Sequence, residues 1–303
     1  MTRRAQLLLG TLVEIAVELP SSEALEAGIA AAFAIVARIH RRLSLHHPQS
    51  ELSQVNRNAA TAVQPISADL RAVLRCALEL AAQSGGAFDP TVGGRVAALG
   101  FLPPQSLAAR DASWRDVQLT PRGVRFARPL VLDFGGIAKG YAVDCAVDAL
   151  RQHGIAAGRV NAGGDLRVFG NRSELVHVRT GGPQGIILPL VRVADGAVAT
   201  SAYGGQRRRI GGRWATPLIE PRGQLPMMST RTVSVVAPTC MVADALTKVV
   251  ALRGCAAARV LMSYGASATL LSPAAGRWRC TQLPRPCPAP PRPHEMMLLP
   301  APA

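Results

Sequence analysis

The stretch from Val131 to Asp144 restricts this chain most. An apolar run ends in the carboxylate of Asp133, Gly135-Gly136 follows, and Lys139 opens an amphipathic pattern that continues through Leu150. Paired glycines let the backbone approach a ligand closely, and the first turn of a helix offers unpaired N–H groups to anionic oxygens. Asp133 and Lys139 stand beside that turn. The spacing satisfies neither the P-loop pattern nor G-x-G-x-x-G. Two readings stay open on these residues alone: a seat for a phosphate-bearing ligand, or a plain strand–turn–helix joint.

A chain of 303 residues can form one large domain or two intertwined lobes. Its 49% apolar content supports a sizeable core, and its 17% charged content argues against global disorder. A formal net charge of +15 favours anionic partners. The basic residues are scattered, however, with Arg207-Arg208-Arg209 the densest run and few aromatics to stack bases, so nucleic-acid binding is not expected. Cys76, Cys145, Cys240, Cys255, Cys280 and Cys287 form no C-x-x-C pair and no zinc-type spacing, so thiols are expected rather than disulfides. No apolar run reaches the roughly 20 residues that span a bilayer. Arg3-Arg4 before Leu7-Leu8-Leu9 has the outline of an export signal, but Glu14 and Glu18 interrupt it and no small-residue cleavage site follows. The segment reads as a first strand, and a cytoplasmic location is expected.

Alternation predicts a strand over Gln6–Leu19 with Leu12, Ile15 and Val17 facing the core. Pro20-Ser21-Ser22-Glu23 opens an Ala-rich helix to about Leu43, with a serine N-cap and an acidic first turn. A polar loop over Ser44–Ser50, a short helix ending near Asn56 and a Ser67-capped helix to Ala82 follow. In Gly86–Gly93, Pro90 forces Asp89 out of helical geometry and so displays its carboxylate. A hairpin is expected around Trp114–Leu119 and Gly123–Phe126. Arg159–Ala162 and Gly163-Gly164-Asp165 follow the central stretch, and strands are expected at Leu166–Phe169, Leu175–Val178, Ile186–Val193 and Val198–Ser201. Tyr203–Ser229 reads as a long basic loop, Thr232–Ala237 as a buried strand, and Pro238-Thr239 as the cap of a helix through Val250. A further helix near Cys255 and a strand at Ala266–Leu271 complete a domain over residues 1–272. Prolines recur from Pro273 onward and predict a disordered tail over 273–303.

Among residues able to do chemistry, Asp244 and Thr247 lie three apart on one helix and share a face. A carboxylate and a hydroxyl there either hold a hard cation such as magnesium or are a solvated Asp beside a helix-bonded Thr. His46-His47 in a loop reads as a surface pair, Asp165 after Gly163-Gly164 as a turn residue, and Phe88 as core. No Gly-x-Ser-x-Gly appears.

The order of these segments resembles the ApbE family, the FAD:protein FMN transferases. The matching pieces are Leu9-Gly10-Thr11, Ser44–Leu52 with Asn56, Gly86–Gly93, Leu132–Ala142, Asn161–Asp165, Ala199–Ser201 with Tyr203, and Val233–Leu246. The resemblance implies an α+β fold, an antiparallel sheet packed with helices around a ligand cleft between two intertwined lobes. It implies FAD and Mg2+, with FMN moved onto a threonine hydroxyl of a target flavoprotein and AMP released; some members are thought to hydrolyse FAD instead. Carried over by motif, Leu9, His46, Ala87, Phe88, Asp89, Asp133, Lys139 and Leu218 would meet FAD. Gly136, Asp244 and Thr247 would hold the metal, with Asp244 and Lys139 catalytic. Three positions depart from the family pattern. Pro217 stands where the family usually has histidine, Lys248 where many members have a metal-binding threonine, and His46 where an aromatic would cover the flavin. With Pro217 and Lys248 in place, a degenerate FAD-binding protein is the alternative.

Overall fold

Three serines start the helical layer. Ser22, Ser50 and Ser67 each accept a backbone N–H from three residues on, Leu25 at 3.2 Å, Ser53 at 3.0 Å and Leu70 at 3.3 Å. The helices α1 (Glu23–Leu43), α2 (Glu51–Asn58) and α3 (Ala68–Gln83) therefore begin one residue after each cap, a contribution of about 1 kcal/mol apiece. A short α4 (Gly93–Ala98) and a hairpin of β3 (Val117–Thr120) and β4 (Gly123–Phe126) close this part of the chain. The computed structural model describes residues 1–105, 109, 111–180, 186–203, 207–220, 225–227, 231–274, 277–284 and 298–299.

The strand expected over Gln6–Leu19 is in fact a hairpin: β1 (Thr2–Leu8) and β2 (Thr11–Val17) pair antiparallel across Leu9-Gly10. Leu9 and Gly10 both have positive φ, 56° and 70°, the geometry of a tight two-residue hairpin turn. Alternation alone cannot see such a turn, because leucine seldom occupies it. Ile15 and Val17 are buried as expected, whereas Leu12 is 52% exposed at the hairpin end.

The chain leaves the sheet after β2 and returns only at β5 (Gly158–Ala162), which pairs with β2. The helices α1–α4 and the β3–β4 hairpin are thus part of an insertion between neighbouring strands. Beyond β5 come β6 (Asp165–Arg179) and β7 (Ile187–Ala202), two long strands where four shorter ones were expected. A register shift between Val168 and Ser173, opposite Gly196 and Ala194, marks the joins, with Gly170 at φ 77° beside it; a second shift between Val176 and His177 lies within the expected strands.

After β7 the segment expected to be a loop carries two small hairpins, β8 (Arg208–Ile210) with β9 (Arg213–Ala215), and β10 (Ile219–Glu220) with β11 (Leu225–Pro226). β12 (Thr232–Ala237) then enters beside β7, followed by α6 (Cys240–Arg253), α7 (Ala258–Ser263), β13 (Ser267–Ala274) and β14 (Arg277–Leu283). With β15 (Leu298–Leu299) the antiparallel sheet has nine strands in the order β1-β2-β5-β6-β7-β12-β13-β14-β15. The boundary expected at Pro273 falls inside β13, since β14 pairs along it as far as Leu283 opposite Ala268. Most of the proline-rich remainder, 285–297 and 300–303, lies outside the described residues, as does Cys287. No described cysteine forms a disulfide.

The helix α5 (Ala138–Gln152) and α6 cap each other. α5 has no side-chain cap of its own, and Asp244 of α6 accepts the N–H of Gly140 at 3.4 Å. In return Asp144 of α5 accepts the N–H groups of Cys240 and Met241, both at 2.9 Å, and pairs with Arg167 at 2.8 Å. Carboxylates at helix N-termini are favoured by both the free N–H groups and the macrodipole. The helices approach so closely that a Cβ on Gly140 would lie 2.2 Å from the carbonyl oxygen of Cys240. This joint sets Lys139 against Asp244.

Candidate functional site

The central stretch is held from two sides. Asn56 pairs with the backbone of Leu132 as a strand would, accepting its N–H at 2.9 Å and donating to its carbonyl at 3.0 Å. On the other side the N–H of Asp133 donates to Pro90 O at 2.7 Å, and Gly93 packs so tightly that a Cβ there would sit 2.8 Å from Val131 O. Two segments far apart in sequence, residues 89–93 and 131–136, therefore form one wall.

Asp133 caps its own turn, accepting the Gly135 N–H at 2.8 Å, and it also lines the cleft. Burial raises its affinity for a proton, against the opposing pull of the Gly135 N–H and the Lys248 charge. Asp89 lines the cleft too, yet its carboxylate is engaged within its own loop. It accepts from Thr91 N–H at 2.9 Å, the Thr91 hydroxyl at 2.6 Å and Trp114 N–H at 3.3 Å. Burial raises this carboxyl as well.

Two cavities of ≈ 610 and ≈ 530 Å3 meet at Asp133, Gly135 and Lys139. Each falls within the usual range of about 300–1,000 Å3 for small-molecule sites. Ala87, Phe88, Asp89, Gly136, Leu218 and Lys248 line the larger one; Leu9 and His46 line the smaller, largely apolar one. Every residue expected against FAD thus borders one cavity or the other. Pro217 lies in the wall of the larger cavity, beside Leu218, whose carbonyl accepts Met227 N–H at 2.8 Å. His46 is neighboured by His47, which stacks edge-on against His40 at 5.3 Å.

At the junction the charges interlock. Lys139 forms an ion pair with Asp165 and reaches Asp244 Oδ2 at 3.4 Å. Burial alone would lower the pKa of Lys139, but Asp244 and Asp165 outweigh it and hold the ammonium well above its ordinary value. Asp244 is 1% exposed; burial would raise it, yet Lys139 and Lys248 together keep it below the usual carboxylate range. Asp165, read from sequence as a turn residue, is instead the buried partner of Lys139. Burial, with the nearby Asp244 charge, pushes its carboxyl up to about 6.

The residues expected on a metal, Gly136, Asp244 and Thr247, do converge, but around a lysine. Lys248 Nζ donates to Asp244 Oδ1 at 2.5 Å and to Asp244 O at 3.1 Å. Its stem runs against Gly136, where an added Cβ would meet Cε at 2.8 Å. The Thr247 hydroxyl faces elsewhere, donating to Asp244 O at 2.6 Å and pairing with Ser201 Oγ at 2.8 Å. Magnesium needs near-octahedral oxygen ligands at about 2.0–2.1 Å. Both carboxylate oxygens of Asp244 are taken by ammonium groups, and a dication about 4 Å from one ammonium is opposed by about 8 kcal/mol at an effective dielectric near 20. No group of three or more His, Cys, Asp or Glu able to hold a metal occurs among the described residues. As arranged, this donor set does not fit magnesium.

Sequence reasoning missed Asp165 as a partner of Lys139 and missed the basic rim of Arg207 and Arg208. Arg208 stacks over Phe101 at 5.2 Å and bonds the carbonyl of Gly100. The arginine run was the only signal for the rim. None was available for the Lys139–Asp165 pair, because the two are brought together by sheet and helix packing.

The ApbE family sequence model matches residues 9–270. The chain is similar to an FAD:protein FMN transferase of Rhodobacter capsulatus, 32% identical over 255 residues, covering 78% of this chain and 48% of that protein. It is also similar to one from Vibrio cholerae serotype O1, 29% identical over 232 residues that cover 70% of this chain and 69% of the relative. The chain spans about half the length of the Rhodobacter capsulatus and Treponema pallidum relatives, 48% and 51%. Among solved structures, flavin transferase ApbE from Vibrio cholerae superposes with a TM-score of 0.78 at 21% identity, covering 93% of this chain and 96% of that one. The apo flavinyl transferase ApbE of Pseudomonas stutzeri gives 0.78 at 20% identity, covering 93% and 94%. At such identities the superpositions speak for the fold, which is the α+β arrangement expected. Sequence match, sheet order and cleft together place this chain in the ApbE family.

Proposed function

We propose that this chain is an FAD:protein FMN transferase, moving FMN from FAD onto a threonine hydroxyl of a target flavoprotein. The observation that carries the reading is the pair of cavities meeting at a glycine turn flanked by two lysines. A dinucleotide has two bulky ends joined by a diphosphate, and a cleft with two chambers that meet beside two ammonium groups and a glycine turn matches that shape. Membership of the ApbE family supports it. In the reaction the threonine Oγ bonds to the phosphorus on the FMN side of the diphosphate. The bond from that phosphorus to the AMP oxygen breaks, and AMP leaves with the electron pair. Lys139 and Lys248 would offset the charge gathering on the diphosphate oxygens, and the glycine turn would supply N–H donors. The threonine proton needs a carboxylate. Asp133 lines the cleft with a pKa raised by burial, which suits proton uptake.

The test is covalent flavin transfer. Purified protein, FAD and a target domain known to accept FMN from another family member are mixed, with and without Mg2+, and a fluorescent target band is sought on a denaturing gel. A band supports the transferase. FAD binding without any band favours the second reading, a flavin-binding protein that has lost transfer, for which Pro217 in the cleft wall is the specific reason. On that reading Pro217→His should raise the transfer rate; an unchanged rate over a range of pH counts against a role for this position.

A further inference from the structure

Lys248 is placed as a bound cation would be. Its ammonium meets one oxygen of Asp244 at 2.5 Å and the carbonyl of the same residue at 3.1 Å, while Lys139 reaches the other carboxylate oxygen at 3.4 Å. The Lys248 stem lies against Gly136, so the glycine turn, Asp244 and the ammonium form one unit on the cleft wall. The remaining donor points to Ser201 Oγ at 3.4 Å, the longest of the three contacts and the one a phosphate oxygen would take over. An ammonium held by a buried carboxylate is a fixed positive charge that needs no hydration shell removed before it meets an anion.

We infer that the Lys248 ammonium stands in for a divalent cation at this site, so that the chain binds the diphosphate of its flavin dinucleotide without metal. The inference rests on the flavin reading above and goes further, since it assigns this residue the role for which the resemblance implies magnesium. It also explains why Thr247 turns its hydroxyl to Ser201 and its own helix rather than to the cleft.

The test is calorimetric titration of the full chain with FAD, once with EDTA and once with Mg2+. The two affinities should agree within about twofold. Lys248→Met should bind FAD about 10- to 100-fold more weakly under both conditions, the loss expected for one charge-assisted hydrogen bond. Lys248→Thr should bind weakly in EDTA and regain affinity with Mg2+. A second measurement needs no variant: Mn2+ titrated into the wild-type chain should keep its free electron paramagnetic resonance signal. A tenfold loss of FAD affinity on chelation, stoichiometric capture of Mn2+, or a folded Lys248→Met chain that binds FAD like the wild type would each overturn the inference while leaving the flavin reading intact. If FAD fails to bind under every condition, the flavin reading falls and takes the inference with it.

Discussion

Asp165 is a buried carboxylate paired with the partly exposed Lys139, and each partner's charge depends on the other. The Asp165 carboxyl is 2% exposed and, through burial first and the Asp244 charge second, is raised from 3.8 to about 6. The folded state therefore binds a proton there that the unfolded state releases. This contribution to stability is whole below pH about 4 and is lost as pH rises through about 6. Urea midpoints taken from pH 4 to 7 should show the wild type losing on the order of 3 kcal/mol relative to Asp165→Asn. Parallel profiles for the two proteins would mean that Asp165 does not titrate in this window. At Asp133 the prediction concerns binding. Its carboxylate organises the Gly135 turn between the two cavities, so Asp133→Ala should weaken FAD binding about tenfold by fluorescence titration. An unchanged affinity removes it from the site.

At the scale of elements, the site depends on how α5 and α6 meet. Each helix supplies the carboxylate that caps the other, Asp144 to α6 and Asp244 to α5. Gly140 permits the approach, and no rotamer can relieve a Cβ 2.2 Å from a backbone oxygen. Gly140→Ala should therefore destabilise the fold by about 3 kcal/mol or more in urea denaturation, although alanine is the better helix former. A variant as stable as the wild type would show that the helices can separate without loss, and the fixed distance from Lys139 to Asp244 would then be unnecessary. The same joint explains the metal residues: with Asp244 committed to the α5 N-terminus and to two lysines, its oxygens are occupied by the fold.

Across the whole molecule, the nine-stranded sheet carries the cleft, and its far side reaches past the expected end of the domain. Leu283 on β14 is 3% exposed, and β14 covers β13 from Ala268 to Ala274. A chain stopped after Ser272 should lose at least about 2 kcal/mol of stability and melt at lower temperature, because a buried leucine is removed and β13 becomes a bare edge. Equal melting of the two chains would place β14 outside the cooperative unit. No helix among the described residues is long and apolar enough to cross a membrane.

Local chemistry was legible in the sequence. Serine caps at Ser22 and Ser67, the glycine turn after Asp133, and the buried strand Thr232–Ala237 each depend on a few neighbouring residues, and each lies where those residues place it. The residues that border the two cavities could be picked out by their order along the chain. Tertiary structure alone decided what they touch. Leu9-Gly10 turns the first strand back on itself, Asp165 is buried under Lys139 from 26 positions away, and Lys248 faces the cleft where Thr247 was expected to. A helical period puts residues three and four apart on nearly the same face, so the pattern cannot choose between Thr247 and Lys248. Packing of α6 against α5 and β7 makes that choice, because it buries the hydroxyl against Ser201 and leaves the longer ammonium to reach the cleft.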